Sequence, residues 1–305
     1  MRTIEHPDHE RVPPTSALLN RLRGWAPMIC LPASVVCLVP ETLPRWAFMW
    51  ALAGAIYVGC KWLTWRRTKV HSIPWWRHAG YLLAWPGLDA FAFLTQPSIA
   101  SPSGREWSVA GLTFALGLAL FFAGLPVVAT DRSDVVGWTG MVGTVLTLHF
   151  GLFHLLSCAW RVVGVNARPL MDHPLRSESV TEFWGRRWNT AFRDFTHRFL
   201  FQPLMPWFGA RGALVSGFVF SGLVHDAVIS LPARGGYGGP TLFFAFQVLA
   251  MLFERSASGR QLGLGRGVRG RMFTTAVLLM PLCFLFHPPF VERVVVPFMR
   301  ALGAA

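Results

Sequence analysis

The sequence predicts an all-α integral membrane protein of about seven to nine transmembrane helices, and three observations carry that prediction. Hydrophobic residues make up 53% of the chain and charged residues only 14%, a balance that the surface of a soluble globule cannot cover. Apolar runs near 20 residues long recur along it, which is about the length that crosses ~30 Å of hydrocarbon. Basic residues, finally, gather in some connections and avoid others, as they do in chains inserted with one orientation.

Runs at 25–39, 46–60, 107–130, 135–160, 211–231, 240–253 and 272–290 read as spans, with a weaker one at 78–94. The expected organisation is an amino-terminal cytosolic segment, 1–24, followed by one transmembrane domain, 25–305. Residues 1–23 are polar and no small-residue cleavage site follows the first apolar run, so the first helix is expected to stay. A net charge of +13 invites a nucleic-acid reading, but the placement of the charges decides against it. Lys and Arg number four before the first span, five in 61–77, seven in 161–198 and five in 255–271, against one each in 41–45, 130–134 and 232–239. This asymmetry assigns the amino terminus and 161–198 to the cytosol, in what is expected to be a bacterial cytoplasmic membrane.

The assignment keeps its register only if one apparent span fails to cross. Tyr81-Leu-Leu-Ala-Trp85-Pro86-Gly87-Leu-Asp89 is that segment, because a Pro-Gly pair and an acid interrupt a short apolar stretch. Broken backbone at membrane depth must be buried in protein or line a wet cavity. The Gly- and Arg-rich loop 259–270 is suited to rest on anionic lipid headgroups. Cys30, Cys37, Cys60, Cys158 and Cys283 sit in or beside apolar runs without metal spacing, and are expected to be buried, inert thiols.

Residues 179–201 carry the densest pattern. Ser179-Val-Thr-Glu182 has the form of a capping box, so a helix is expected to start there. Trp184, Trp188, Phe192, Phe195 and Phe199 then recur every three or four residues on one face, with Arg186, Asn189 and Arg193 on another. Such a helix lies in the membrane interface. It serves either as an anchor or, through Asn189 flanked by two arginines, as a surface for a phosphate-bearing cosubstrate.

His225 lies in the apolar run that follows, and an ionisable residue inside a bilayer is a functional candidate by default. Gly217, Ser221 and Gly222 precede it on the turns toward which its side chain leans. They leave room beside the imidazole, or else mark close helix packing. At ~1.5 Å per residue it stands roughly 20 Å from Arg211, past the midplane. His149-Phe-Gly-Leu-Phe-His154 has the gap of a membrane di-iron box, but such enzymes use about eight histidines with adjacent pairs. This chain has ten histidines and no His-His pair. No metal is expected, and His149 and His154 are read as interhelical or tunnel-lining groups.

Phe183-Trp184-Gly185-Arg186-Arg187-Trp188-Asn189, Phe201-Gln202-Pro203-Leu204 and Ser221-Gly222-Leu223-Val224-His225 together resemble the signature of the wax-synthase branch of the membrane-bound O-acyltransferases, over 168–255. The resemblance implies a ring of tilted helices around a central tunnel. It also implies transfer of a fatty acyl group from acyl-CoA to the hydroxyl of a lipophilic alcohol, with Asn189 and His225 as the active-site pair. Acyl-CoA is then a cosubstrate, with no bound cofactor. Trp184, Arg186, Arg187, Trp188 and Arg193 are its expected contacts, and Gly217, Ser221 and Gly222 the tunnel lining. Asp226 stands where Glu is more usual, and lies about 100° around the helix from His225, toward a neighbouring helix. A neutral histidine taking the alcohol proton suits this chemistry, at ~10²–10⁴-fold in rate. The competing class is a membrane scaffold or transporter that kept the fold; transporters often show inverted repeats, and none is visible here.

Overall fold

The computed structural model describes residues 14–70, 72–97, 99–127 and 133–304. The expected cytosolic segment therefore lies mostly outside the described residues, as does Arg132 of the 130–134 connection. The chain is helical throughout, with one isolated antiparallel bridge, Pro97 to Val165, among the described residues. Five stretches are long and apolar enough to cross a membrane: Arg45–Arg66, Gly104–Phe122, Asp134–Val162, Thr190–Ala233 and Gly267–Leu285. Gly24–Leu38 and Gly239–Glu254 are shorter apolar helices. These are the seven runs visible in the sequence, and the protein is an all-α integral membrane protein.

In chain order the helices are α1 (Pro14–Leu38), α2 (Arg45–Arg66), α3 (Trp75–Ala84), α4 (Ala90–Thr95), α5 (Gly104–Val127), α6 (Ser133–Val145) and α7 (Phe153–Val162). They continue as α8 (Val180–Glu182), α9 (Thr190–Thr196), α10 (Gln202–His225), α11 (Leu231–Ala233), α12 (Gly239–Glu254), α13 (Ala257–Gln261) and α14 (Gly267–Leu279). The chain closes with α15 (Leu282–Leu285), α16 (Pro288–Phe290) and α17 (Val296–Ala301). Wider π turns splice several of these together, at Leu146–Leu152, Phe183–Arg187, His197–Phe201, Asp226–Ser230 and Val291–Val295. Such turns insert one residue into the helical ladder and concentrate at functional sites. Four of them contain residues singled out from the sequence.

The weak run at 78–94 does not form a span. It divides into α3 and α4 around an extended strand-like piece from Trp85 to Asp89, because Pro86 removes a donor and disfavours helical backbone before it. Its carbonyls are satisfied inside the protein: Tyr57 OH donates to Trp85 at 2.9 Å, Lys61 Nζ to Gly87 at 2.5 Å and Trp160 Nε1 to Ala84 at 3.0 Å. Lys61, counted in a loop from the sequence, is instead 2% exposed inside α2. Its ammonium lies 3.5 Å from the Tyr81 ring centroid. The ring face and the Gly87 carbonyl together compensate a buried cation. A lysine ending an apolar run looks like a loop residue, and only the broken helix beside it explains its burial.

Two hydrophobic clusters organise the interior. One gathers Phe121, Ile229, Phe243, Phe244, Phe290 and Val294; the other gathers Leu63, Tyr81, Trp85, Phe93, Val165 and Phe195. The segment 183–199 joins them, with Trp184 against the first and Phe192, Phe195 and Phe199 in the second. The expected interfacial helix is thus corrected: Phe195 is 1% exposed, and the aromatic face is spent on the core. The thiols are also corrected in part. Cys60 and Cys158 are buried, whereas Cys30, Cys37 and Cys283 are exposed on the surfaces of their apolar segments.

Candidate active site

The signature segment is built from its amino-terminal cap. Ser179 is extended, and its Oγ accepts the Glu182 N–H at 2.8 Å. Glu182 reaches back to the N–H of Glu178 at 2.8 Å, one residue earlier than a standard box. The other Glu182 oxygen receives Arg187 Nε at 2.7 Å, and Arg187 also donates to the Asp172 carbonyl at 3.2 Å. Desolvation, the largest single influence, pushes the Glu182 pKa up, but the Glu178 N–H and the Arg187 guanidinium prevail and hold it below its usual range. Glu178 is held low by the Gly267 N–H and then by Arg271. Arg187 is therefore a staple of the loop.

The helix expected to run through to Phe201 breaks after Arg187. Trp188 is extended and Asn189 takes a left-handed conformation, φ 42° and ψ 62°. Asparagine tolerates that region better than most residues. Its Oδ1 accepts the Phe192 N–H at 3.2 Å and so caps α9. The other end of the amide, Nδ2, is left to donate elsewhere.

The break turns Arg186 and Arg193 toward one cavity of about 980 Å³. Its walls include Trp85, Gly87 and Asp89 of the broken segment, Met171, Asp172, Thr190 and Asp194, together with Arg105, Arg168 and Arg176. Arg193 is paired with Asp194 at 2.8 Å, and Arg186 stands 3.8 Å from Asp172. Arg105, Arg168 and Arg176 are exposed and form no ion pair among the described residues. Three free guanidiniums on one concavity favour an anion with several charges. Sequence reasoning singled out none of the three. Arg168 and Arg176 sit in the basic 161–198 stretch, whereas Arg105 lies alone at the start of α5 with no signal to mark it.

His225 is the last residue of α10, and a π turn begins at Asp226. Its Nδ1 lies 2.7 Å from the Ser221 carbonyl oxygen. A carbonyl only accepts, so Nδ1 carries the proton and Nε2 keeps its lone pair. The ring packs 4.7 Å from Phe244, centroid to centroid. Ser221 bonds back to the Gly217 carbonyl at 3.0 Å, and open space surrounds the position a Cβ would take on Gly217. Gly222 is different: a Cβ there would come within 2.7 Å of the Thr241 backbone. Its smallness serves the contact of α10 with α12, not the lining of a passage.

Asp226 turns away from the imidazole. Its carboxylate accepts from the N–H groups of Gly238 at 2.8 Å and Thr241 at 3.0 Å, from Ser230 Oγ at 2.9 Å and from the Thr241 hydroxyl. It caps the start of α12, where an anion is favoured.

The aromatic residues of the signature line the interior. Trp184 donates to Gln247 Oε1 at 3.2 Å and packs on Phe244 and Phe218. Trp188 stacks on Phe183 at 5.4 Å and on His149 at 6.4 Å. Neither tryptophan lines the arginine-rich cavity. His154 pairs with Glu106 at 3.1 Å on the cavity wall. Glu106, His154 and Cys158 have metal-like spacing, with ligand atoms within 4.8 Å of one another. Arg161, however, donates to the same Glu106 oxygen, so this carboxylate already has a cationic partner.

Comparison with known proteins falls on the same segment. The model of the membrane bound O-acyl transferase family matches residues 167–246. The chain is 27% identical over 193 residues to the long-chain-alcohol O-fatty-acyltransferase of Simmondsia chinensis, covering 57% of this chain and 54% of that protein. It is 27% identical over 135 residues to the probable long-chain-alcohol O-fatty-acyltransferase 8 of Arabidopsis thaliana, covering 41% of this chain and 40% of that one. The chain thus spans about half the length, or less, of these relatives. Both are plant proteins, so the expectation of a bacterial membrane draws nothing from them. Signature, membrane-helical fold and relatives point the same way: residues 167–246 are similar to the membrane bound O-acyl transferase family, and the chain is similar to plant long-chain-alcohol O-fatty-acyltransferases.

Proposed function

We propose that the protein transfers a fatty acyl group from acyl-CoA to the hydroxyl of a lipophilic alcohol, with His225 as general base. The observation that carries this reading is the content of the matched segment. It contributes the wall of a guanidinium-bordered cavity at one end and, at the other, an imidazole whose Nε2 lone pair is free. The nucleotide phosphates of acyl-CoA sit in the cavity on the cytosolic side, against Arg105, Arg168, Arg176 and Arg186. The thioester reaches inward past Asn189, whose Nδ2 donates to the carbonyl oxygen where negative charge develops. His225 Nε2 takes the alcohol proton as the oxygen attacks the thioester carbon. The tetrahedral intermediate collapses with cleavage of the carbon–sulfur bond, and the imidazolium returns the proton to the departing CoA thiolate. Holding the reactants together supplies part of the acceleration, and proton transfer contributes ~10²–10⁴-fold.

Membranes containing the protein, given radiolabelled acyl-CoA and a panel of long-chain alcohols, sterols and diacylglycerol, should form an ester that membranes without it do not. Absence of any such ester across the panel would favour a scaffold or transporter that keeps the fold.

A further inference from the structure

His149 is a second buried imidazole that the reaction above leaves unused. Its Nδ1 is sealed from solvent and has no hydrogen-bond partner among the described residues. Leaving such a nitrogen unpaired is costly, and native proteins keep few groups in that condition without a use for them. The backbone around it is the π turn Leu146–Leu152, a kind of irregularity that concentrates at functional sites. The ring is nearly parallel to Trp188, at 16° and 6.4 Å, and so faces the residue that precedes Asn189.

Position along the path narrows the ligand. His154, five residues further on the same helix, lines the arginine-rich cavity. His149 therefore lies about one turn, ~6–8 Å, deeper. From there an unbroken run of ring contacts leads through Trp188, Phe183, Trp184 and Phe244 to His225, with centroids 6.4, 5.4, 5.1, 5.5 and 4.7 Å apart. Phosphates belong in the cavity above it, and the reacting alcohol at the far end of the run. The part of an acyl-CoA that occupies the stretch between is the pantetheine arm. That arm carries amides, which are costly to bury without a partner; Phe183 and Phe244 offer none, and the Trp184 N–H is already given to Gln247.

Building on the donor assignment above, we propose that His149 hydrogen-bonds an amide of the pantetheine arm, and so positions the thioester for attack. An amide presents both N–H and C=O, so it pairs with either tautomer of the ring.

His149→Phe keeps a ring to stack on Trp188 and removes both nitrogens. The expected result has two parts that a structural histidine would not produce together. The thermal midpoint of the purified protein holds or rises, because an unpaired polar group has been removed from the interior. The KM for acyl-CoA meanwhile rises about tenfold, with little change in the KM for the alcohol, and His149→Gln recovers part of the loss. Affinity for an S-alkyl-CoA thioether, which cannot react, weakens in parallel. Binding is thus read even if no ester is formed, and the failure of the proposed reaction is told apart from the failure of this assignment. Wild-type affinity for the thioether in His149→Phe would overturn the proposal, as would a lowered thermal midpoint without a donor-specific effect.

Discussion

Asn189 caps α9 with one end of its amide and, in the proposed reaction, donates to the thioester with the other, and a single substitution separates the two. Asn189→Asp keeps an oxygen to cap α9 and a residue that tolerates left-handed backbone, while replacing the Nδ2 donor with a second acceptor. Stability should stay within about 0.5 kcal/mol of wild type, since Asp and Asn are equivalent caps. Turnover should fall by about 10²-fold or more if Nδ2 meets developing charge. Asn189→Ala should lose the cap as well, at a cost of about 1–2 kcal/mol, which chemical denaturation would register. His225 stands out in the sequence because a lone ionisable residue in an apolar run is costly to keep there. The cap does not, because it exists only where the helix breaks, and the regular spacing of Trp184, Trp188 and Phe192 conceals the break.

At the scale of elements, the arginines divide by what already holds them. Arg187 is committed to Glu182 and the Asp172 carbonyl, whereas Arg105, Arg168 and Arg176 face the cavity without an ion-pair partner among the described residues. Arg187→Gln should cost about 1–3 kcal/mol of stability, because it strips charge-assisted bonds from a partly buried carboxylate. Arg168→Gln or Arg176→Gln should leave stability within about 0.5 kcal/mol of wild type. Each should raise the KM for acyl-CoA several-fold, less at high salt, where charges are screened beyond a few ångströms. Thermal unfolding alongside steady-state kinetics at two ionic strengths reads both effects. Charge counting found the basic stretch but could not rank its members, since ion pairing is a matter of which carboxylates the fold brings near. The π turns were equally hidden. They add a single residue to a turn, and an apolar face a third of the helix wide absorbs that shift without a visible change of pattern.

For the whole molecule, the seven apolar segments and the interrupted Trp85–Asp89 stretch could be read directly, because hydrocarbon thickness and backbone satisfaction leave few alternatives. How the segments pack could not be read. Gly222 lies against α12 and Lys61 lies under the broken helix, and each looks from its neighbours in sequence like something else. The proposed reaction needs acyl-CoA bound in the arginine-rich cavity and His225 acting only in chemistry. The most direct measurement compares purified wild type with His225→Ala for two quantities at once, the affinity for an S-alkyl-CoA thioether and the single-turnover rate of ester formation. The prediction is unchanged affinity, with a rate lower by at least about 10²-fold. Ester formation by His225→Ala at near wild-type rate would remove the imidazole from the reaction.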